Sequence, residues 1–185
     1  DPLLVARSLQ VKHADRPPRR HGVLRSGLSA TVRSPRALLG MTAVVIAHTV
    51  MVSVMVMTPI HMDHGQASLE IIGFVISVHI AGMFAFSPVM GWLADQVGRI
   101  PVVIGGAVAL LAAVVLAGTS TAGHSAGLTV GLFLLGLGWS ACLVAGSTML
   151  TEAVPLEDRP AAQGSSDLLM GLAAAAGGAL AGVVV

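Results

Sequence analysis

Gly91-Trp92-Leu93-Ala94-Asp95-Gln96-Val97-Gly98-Arg99-Ile100-Pro101 holds the only Asp, Glu, Lys or Arg residues between Ile71 and Gly118. Each residue type suits a helix that ends at water and a second that starts there. Gly91 removes a Cβ where two helices approach. Asp95 stops the apolar run at an aqueous boundary, and Gly98 permits a tight turn. Arg99 supplies a cation for a nearby carboxylate or for the C-terminus of the preceding helix. Pro101 suits the first helical position, where its missing N–H costs nothing. The apolar stretches on either side are therefore two separate helices.

Outward from this turn the chain is a series of long apolar runs. They cover about 37–60, 71–94, 101–118, 127–151 and 162–185, and His48 is the one titratable residue of the first. A helix of about 20 apolar residues crosses the ~30 Å hydrocarbon core, so each run is long enough to span. None alternates with the period of two that a barrel strand requires. The chain is 55% hydrophobic and 10% charged, against roughly 25% charged in soluble domains. Mean hydropathy is +0.86. The fold class is thus an all-α membrane protein with five transmembrane helices. The spans exclude a soluble redox or nucleic-acid-binding domain. Gly105-Gly106 lies inside an apolar run without phosphate-loop context, and the lone Cys142 leaves no intrachain disulfide or thiolate cluster.

Charge sets the orientation. Eight of the ten Lys and Arg residues (Arg7, Lys12, Arg16, Arg19, Arg20, Arg25, Arg33 and Arg36) lie in residues 1–36, and the others are Arg99 and Arg159. The connections after the first and third runs have none. Five alternating helices put 1–36, 95–100 and 152–161 on one side, which the positive-inside rule makes cytoplasmic. Residues 1–36, with Arg-Pro-Pro-Arg-Arg at 16–20, form a basic segment that reads as a linker lying on the membrane surface. Residues 37–185 form the transmembrane bundle. The chain opens on Asp1 and closes on an apolar run, so both ends are expected to be cuts through a longer protein, with a returning sixth helix beyond Val185.

The Gly91–Pro101 stretch closely resembles the major facilitator superfamily signature G-x-L-a-D-r-x-G-r-k. In that family the signature lies on the cytoplasmic loop between the second and third helices of each six-helix half. Gln96 and Ile100 replace basic residues usual there, a weaker form seen more often in the second half. Glu152, then Arg159 and Gly164, resembles the family's E-x6-R pattern after the fourth helix. The resemblance covers essentially the whole chain and identifies residues 1–36 with the central loop. It implies a partial six-helix half, partnered by the N-terminal half of the same transporter in the cell membrane. It also implies that Gly91, Asp95, Gly98, Arg99, Glu152 and Arg159 form a conformational latch on the cytoplasmic face. The competing reading is a set of independent interfacial charges, since such pairs alone are worth little.

Ionisable groups at membrane depth are costly and invite a functional reading. His48 and His79 each sit on a methionine stripe at helical spacing: Met41, His48, Met51, Met55 and His79, Met83, Phe86, Met90. In the family fold both helices line the central cavity, so either histidine is a candidate for substrate contact or proton coupling. The stripes themselves read as lipid or core packing. Asp167, after Gly164-Ser165-Ser166, reads first as a complement to the dipole of its helix N-terminus, and second as a proton site. His61-Met62-Asp63-His64 reads as a solvated outer turn, because two histidines without further ligands make a weak metal site. Pro88 is expected to kink the second helix. The pairs Gly178/Gly182, with Ala174, and Gly136/Ser140 read as sites of close helix approach.

The function these features imply is a secondary active transporter of a small amphipathic solute. It would work by alternating access, with protons as coupling ion and export as direction. No cofactor, metal or nucleic acid is expected. The alternatives are a membrane-embedded enzyme built on His48 and His79, which lacks the denser cluster such sites show, and a truncated scaffold that does not transport.

Overall fold

A computed structural model describes residues 22–120 and 125–184. Among them are seven α-helices, one 3-10 turn and no strand. They are α1 (Val23–Arg33), α2 (Pro35–His64), α3 (Leu69–Phe84), α4 (Ser87–Val97), α5 (Arg99–Thr119), α6 (Ser125–Glu152), the 3-10 turn Leu156–Asp158, and α7 (Arg159–Val184). Five segments are long and apolar enough to cross a membrane, α3 and α4 together making one of them.

The helix ends follow local chemistry. Ser34 caps α2, its Oγ accepting from Ala37 N at 3.3 Å, with Pro35 at the start. Ser68 does the same for α3 through Ile71 N at 3.4 Å. The 30 residues of α2 span about 45 Å at 1.5 Å per residue, well beyond the ~30 Å core. It runs through Pro59 to His64, so His61–His64 is its last helical turn and not a loop, with Asp63 and His64 exposed. Helix α5 starts at Arg99, two residues before Pro101, because Gly98 at φ 94°, ψ 160° both ends α4 and opens α5. Residues 121–124, in the connection between the third and fourth apolar runs, lie outside the described residues. So do residues 1–21 of the basic segment; its remainder is largely the helix α1 and not an open linker.

Pro88 has a larger effect than a kink. Proline cannot donate to the carbonyl four residues back and its ring crowds it, which here is the carbonyl of Phe84. The helix breaks there: α3 ends at Phe84 and α4 begins at Ser87. Two edge-to-face contacts fasten the break to α6, Phe84 on Trp139 at 6.1 Å and Phe86 on Phe133 at 5.5 Å between ring centroids.

Helix α6 is the hub, packing against α2, α3, α4 and α5. Its Leu132, Leu135, Met149 and Leu150 are completely buried. Lipid tails are as apolar as leucine, so helices associate through close contact and not through loss of water. Glycines permit that contact: a Cβ on Gly40 of α2 would stand 2.5 Å from the Gly146 carbonyl of α6, and one on Gly138 of α6 would stand 2.7 Å from the Gly106 carbonyl of α5. Gly136 likewise lies against the His79 carbonyl. Met41 and Met51 are buried in the core clusters, which puts the centre of the first methionine stripe in packing.

Helix α7 packs on α2 and α1. The close approach to α2 falls at Gly177, whose Cβ would meet Thr49 and Ser53 at 2.7 and 2.8 Å. Gly178 makes only ordinary contacts and Gly182 faces open space. Of the predicted set, Ala174 is buried and Gly178 does face α2 at Val52 and Val56, but the tightest approach is one residue earlier, since a helical pattern of small residues does not reveal which of two adjacent glycines comes closest.

Candidate functional site

At the turn between α4 and α5, the Arg99 guanidinium gathers three acceptors. It lies 3.1 Å from Asp95 Oδ1 and 2.9 Å from Glu152 Oε1, and donates at 3.0 Å to the carbonyl of Ala94. That carbonyl is one of the last four of α4, which have no partner inside the helix. Arg99 therefore serves both the carboxylates and the helix C-terminus. Gly98 turns the chain so that this becomes possible, and Gly91 sits a Cβ's ordinary contact distance, 3.9 Å, from Val144 of α6. The Arg99 side chain is mostly covered, at 22% exposure, while Asp95 and Glu152 are 69% and 44% exposed.

Arg159 does not join this cluster. It is half-buried at the start of α7 and forms no salt bridge among the described residues. Glu152 has other cations: Oε1 takes Arg99, and Oε2 lies 4.0 Å from Arg36. In the sequence Arg36 is one of the eight cations of residues 1–36, which mark topology only. Nothing in its neighbourhood in the sequence marks it as a partner for Glu152.

The two intramembrane histidines both meet α6, in different chemical ways. His48 of α2 accepts at Nδ1 from the indole N–H of Trp139 at 3.0 Å, with ring centroids 6.1 Å apart. His79 of α3 is 2% exposed and has Nδ1 at 2.9 Å from the carbonyl of Leu132, while its buried Nε2 has no partner among the described residues. A carbonyl only accepts, so His79 Nδ1 carries a proton. Trp139 is the residue that the sequence reading missed. An indole N–H inside an apolar run needs an acceptor, and His48 was the available signal.

Asp167 lies on the exposed side of α7 and accepts from Gln163 Nε2 at 2.9 Å. Because α7 begins at Arg159, Asp167 is more than two turns inside, and a helix dipole acts within the first turn only. The dipole reading is therefore overturned by the earlier helix start.

A cavity of about 410 Å3 opens between the ends of α2 and α5 and the start of α6, lined in part by Ser53, Thr58, His61 and His64. A second, of about 240 Å3, lies between α4, α5 and α6 and is almost wholly apolar. Neither is lined by His48, His79 or Asp167. No group of three or more His, Cys, Asp or Glu among the described residues could hold a metal ion.

Long apolar helices, a charge cluster at their ends and a polar pair between them define a multi-pass α-helical membrane protein. The chain belongs to the Major Facilitator Superfamily, whose family model matches residues 36–185. It is 36% identical to the uncharacterized MFS-type transporter YdeG of Bacillus subtilis (strain 168) over all of its own length and 42% of the relative's. It is 38% identical to the uncharacterized MFS-type transporter YddS of the same organism, over 80% of this chain and 34% of that one. The riboflavin transporter RfnT of Brucella anthropi is 32% identical over 77% of this chain and 35% of its own. The chain thus spans less than half the length of these relatives. No solved structure matches it.

Proposed function

We propose that this chain is the second half of a secondary transporter in the cell membrane. It moves a small solute by alternating access against an N-terminal half. In this reading residues 22–36, 95–100 and 152–159 face the cytoplasm, and the Asp95–Arg99–Glu152 cluster, extended by Arg36, latches one conformation. Protons are the coupling ion and export is the direction.

The hydrogen bond from Trp139 to His48 carries the coupling assignment. An indole N–H can only donate, so Nδ1 of His48 is the acceptor and neutral His48 keeps its proton on Nε2. A second proton has to enter at Nδ1, where it breaks the link between α2 and α6. Proton binding and helix contact are then mutually exclusive, which is how a ligand biases two conformations. His79 is different: its second proton would go to a buried Nε2 with no partner among the described residues, a costly charge at membrane depth. We assign His79 to packing and His48 to coupling.

The cargo is a small amphipathic compound bearing a ring. Exposed Phe84 set edge-on to Trp139 supports this, as does a relative named for riboflavin transport. The test is flux by the intact protein in proteoliposomes, across a panel of ring-bearing solutes, with and without an imposed pH gradient. Gradient-driven flux of one of them is the expected result. Folded protein that moves none of the panel would overturn the reading.

A further inference from the structure

Helix α1 has three faces, and among the described residues only one of them is occupied by the rest of the molecule. Gly27 and Thr31, one turn apart, are both buried, and α1 packs on α7 at Gly27. A Cβ on Gly27 would collide with the carbonyl of Ala161, and Ser165 Oγ donates to the Leu24 carbonyl at 3.3 Å. Beside this docked face runs a stripe of Leu24, Leu28 and Val32, spaced by four residues. These side chains are 49%, 38% and 64% exposed. Arg25 follows on the far edge of the stripe, about 20° beyond Val32, and Arg33 lies about 80° further round; both are exposed and neither forms a salt bridge among the described residues. At 100° per residue, the order around the helix is docked face, apolar stripe, basic face.

The position of α1 is equally specific. It ends at Arg33, and after Ser34 alone the membrane-crossing helix α2 begins. α1 is thus held at the membrane boundary by a one-residue link at one end and by α7 along its side. An apolar stripe edged by arginines at that level has the chemistry of a helix lying in the headgroup plane. The apolar side chains enter the acyl boundary and the cations meet anionic headgroups.

We propose that α1 is an in-plane docking element for anionic phospholipid, with Leu24, Leu28 and Val32 in the bilayer and Arg25 and Arg33 on lipid phosphates. Because α1 is fastened to the start of α7, lipid charge bears directly on the packing of a helix that also contacts α2. The side of the membrane on which this happens rests on the orientation proposed above; the lipid contact itself does not.

The test uses the intact protein on a background without other cysteines, with an environment-sensitive fluorophore at Leu28→Cys and, separately, at Val32→Cys. It is reconstituted in bilayers carrying brominated phosphatidylglycerol or brominated phosphatidylcholine. Quenching several-fold stronger by the phosphatidylglycerol is expected. That preference should fall by up to about fivefold for each of Arg25→Gln and Arg33→Gln, from roughly 1 kcal/mol per cation near an anionic surface. Equal quenching by the two lipids would overturn the headgroup preference. A probe open to aqueous iodide and untouched by lipid would overturn the docking. So would a probe shielded from both, which would mean that protein covers the stripe. An impermeant maleimide applied from each side to Ser29→Cys reads the orientation separately.

Discussion

Trp139 on α6 donates its indole N–H to Nδ1 of His48 on α2 at 3.0 Å, joining residues 91 positions apart in the chain. The indole has no acceptor and the imidazole must therefore receive, so this bond dictates the tautomer of His48. It also places the entry point of a second proton on the contact between two helices.

If that contact transmits proton binding, the two residues act as a unit. His48→Ala and Trp139→Phe should each abolish accumulation of solute driven by a pH gradient, and the double variant should lose no more than either single one. Flux down a solute gradient should persist in all three. Uptake or efflux by His48→Ala that still follows the pH gradient would remove His48 from coupling.

His79 should behave as a packing residue. His79→Leu removes the bond to the Leu132 carbonyl and should lower stability by roughly 0.6 kcal/mol, the average for hydrogen bonds between membrane helices. His79→Asn, which offers a donor at a similar position, should recover part of it. Thermal unfolding in detergent checks both, and the pH dependence of transport should be unmoved. A lost pH dependence would transfer the coupling role to His79.

The charge cluster makes a graded prediction. Asp95→Asn and Glu152→Gln each remove a negative charge from beside Arg99 and should slow transport by up to about fivefold, because partly exposed pairs contribute 0.2–1 kcal/mol each. Membrane insertion, read by surface expression, should not change. Arg36→Gln acts on a longer contact and should have a smaller effect. Wild-type rates in both carboxylate variants would reduce the cluster to a topology device.

Gly98→Ala should be among the most damaging small changes. The φ of 94° and ψ of 160° at this position lie in a region that only glycine occupies readily, and a side chain there costs on the order of 1–3 kcal/mol. The variant should lower the unfolding temperature and also disturb the Arg99 contacts that the turn sets up. Unchanged thermal stability would show that the turn relaxes at no cost.

Close approach between α2 and α6 can be tested in the same way. Gly40→Val places branched carbons where the first would already stand 2.5 Å from the Gly146 carbonyl. The helices have to separate, and the Trp139–His48 bond lies on the same interface. Loss of folded protein, or a folded protein with lost pH-driven flux, is expected. Full activity would mean that the interface opens during the cycle further than the contact suggests.

Much of this was legible in the chain because a bilayer imposes its constraint locally. Every backbone group has to be satisfied within its own segment, so an apolar run is a helix and a charge marks its end. The five spans follow from that, as do the gathering of Asp95 and Arg99 within one turn of chain and the disruption at Pro88. Tertiary structure decided what depends on the rotation of one helix against another. It chose Arg36 over Arg159 for Glu152, and it put the closest approach to α2 at Gly177 with Gly178 at ordinary contact distance beside it. It gave His48 and His79 opposite hydrogen-bonding roles against the same central helix, and it laid α1 against α7 with an apolar stripe that no other described residue covers. Hydropathy shows that a residue lies in the membrane. Which neighbour it faces is set by packing between segments distant in sequence, where a single residue of register is 100° of helix rotation.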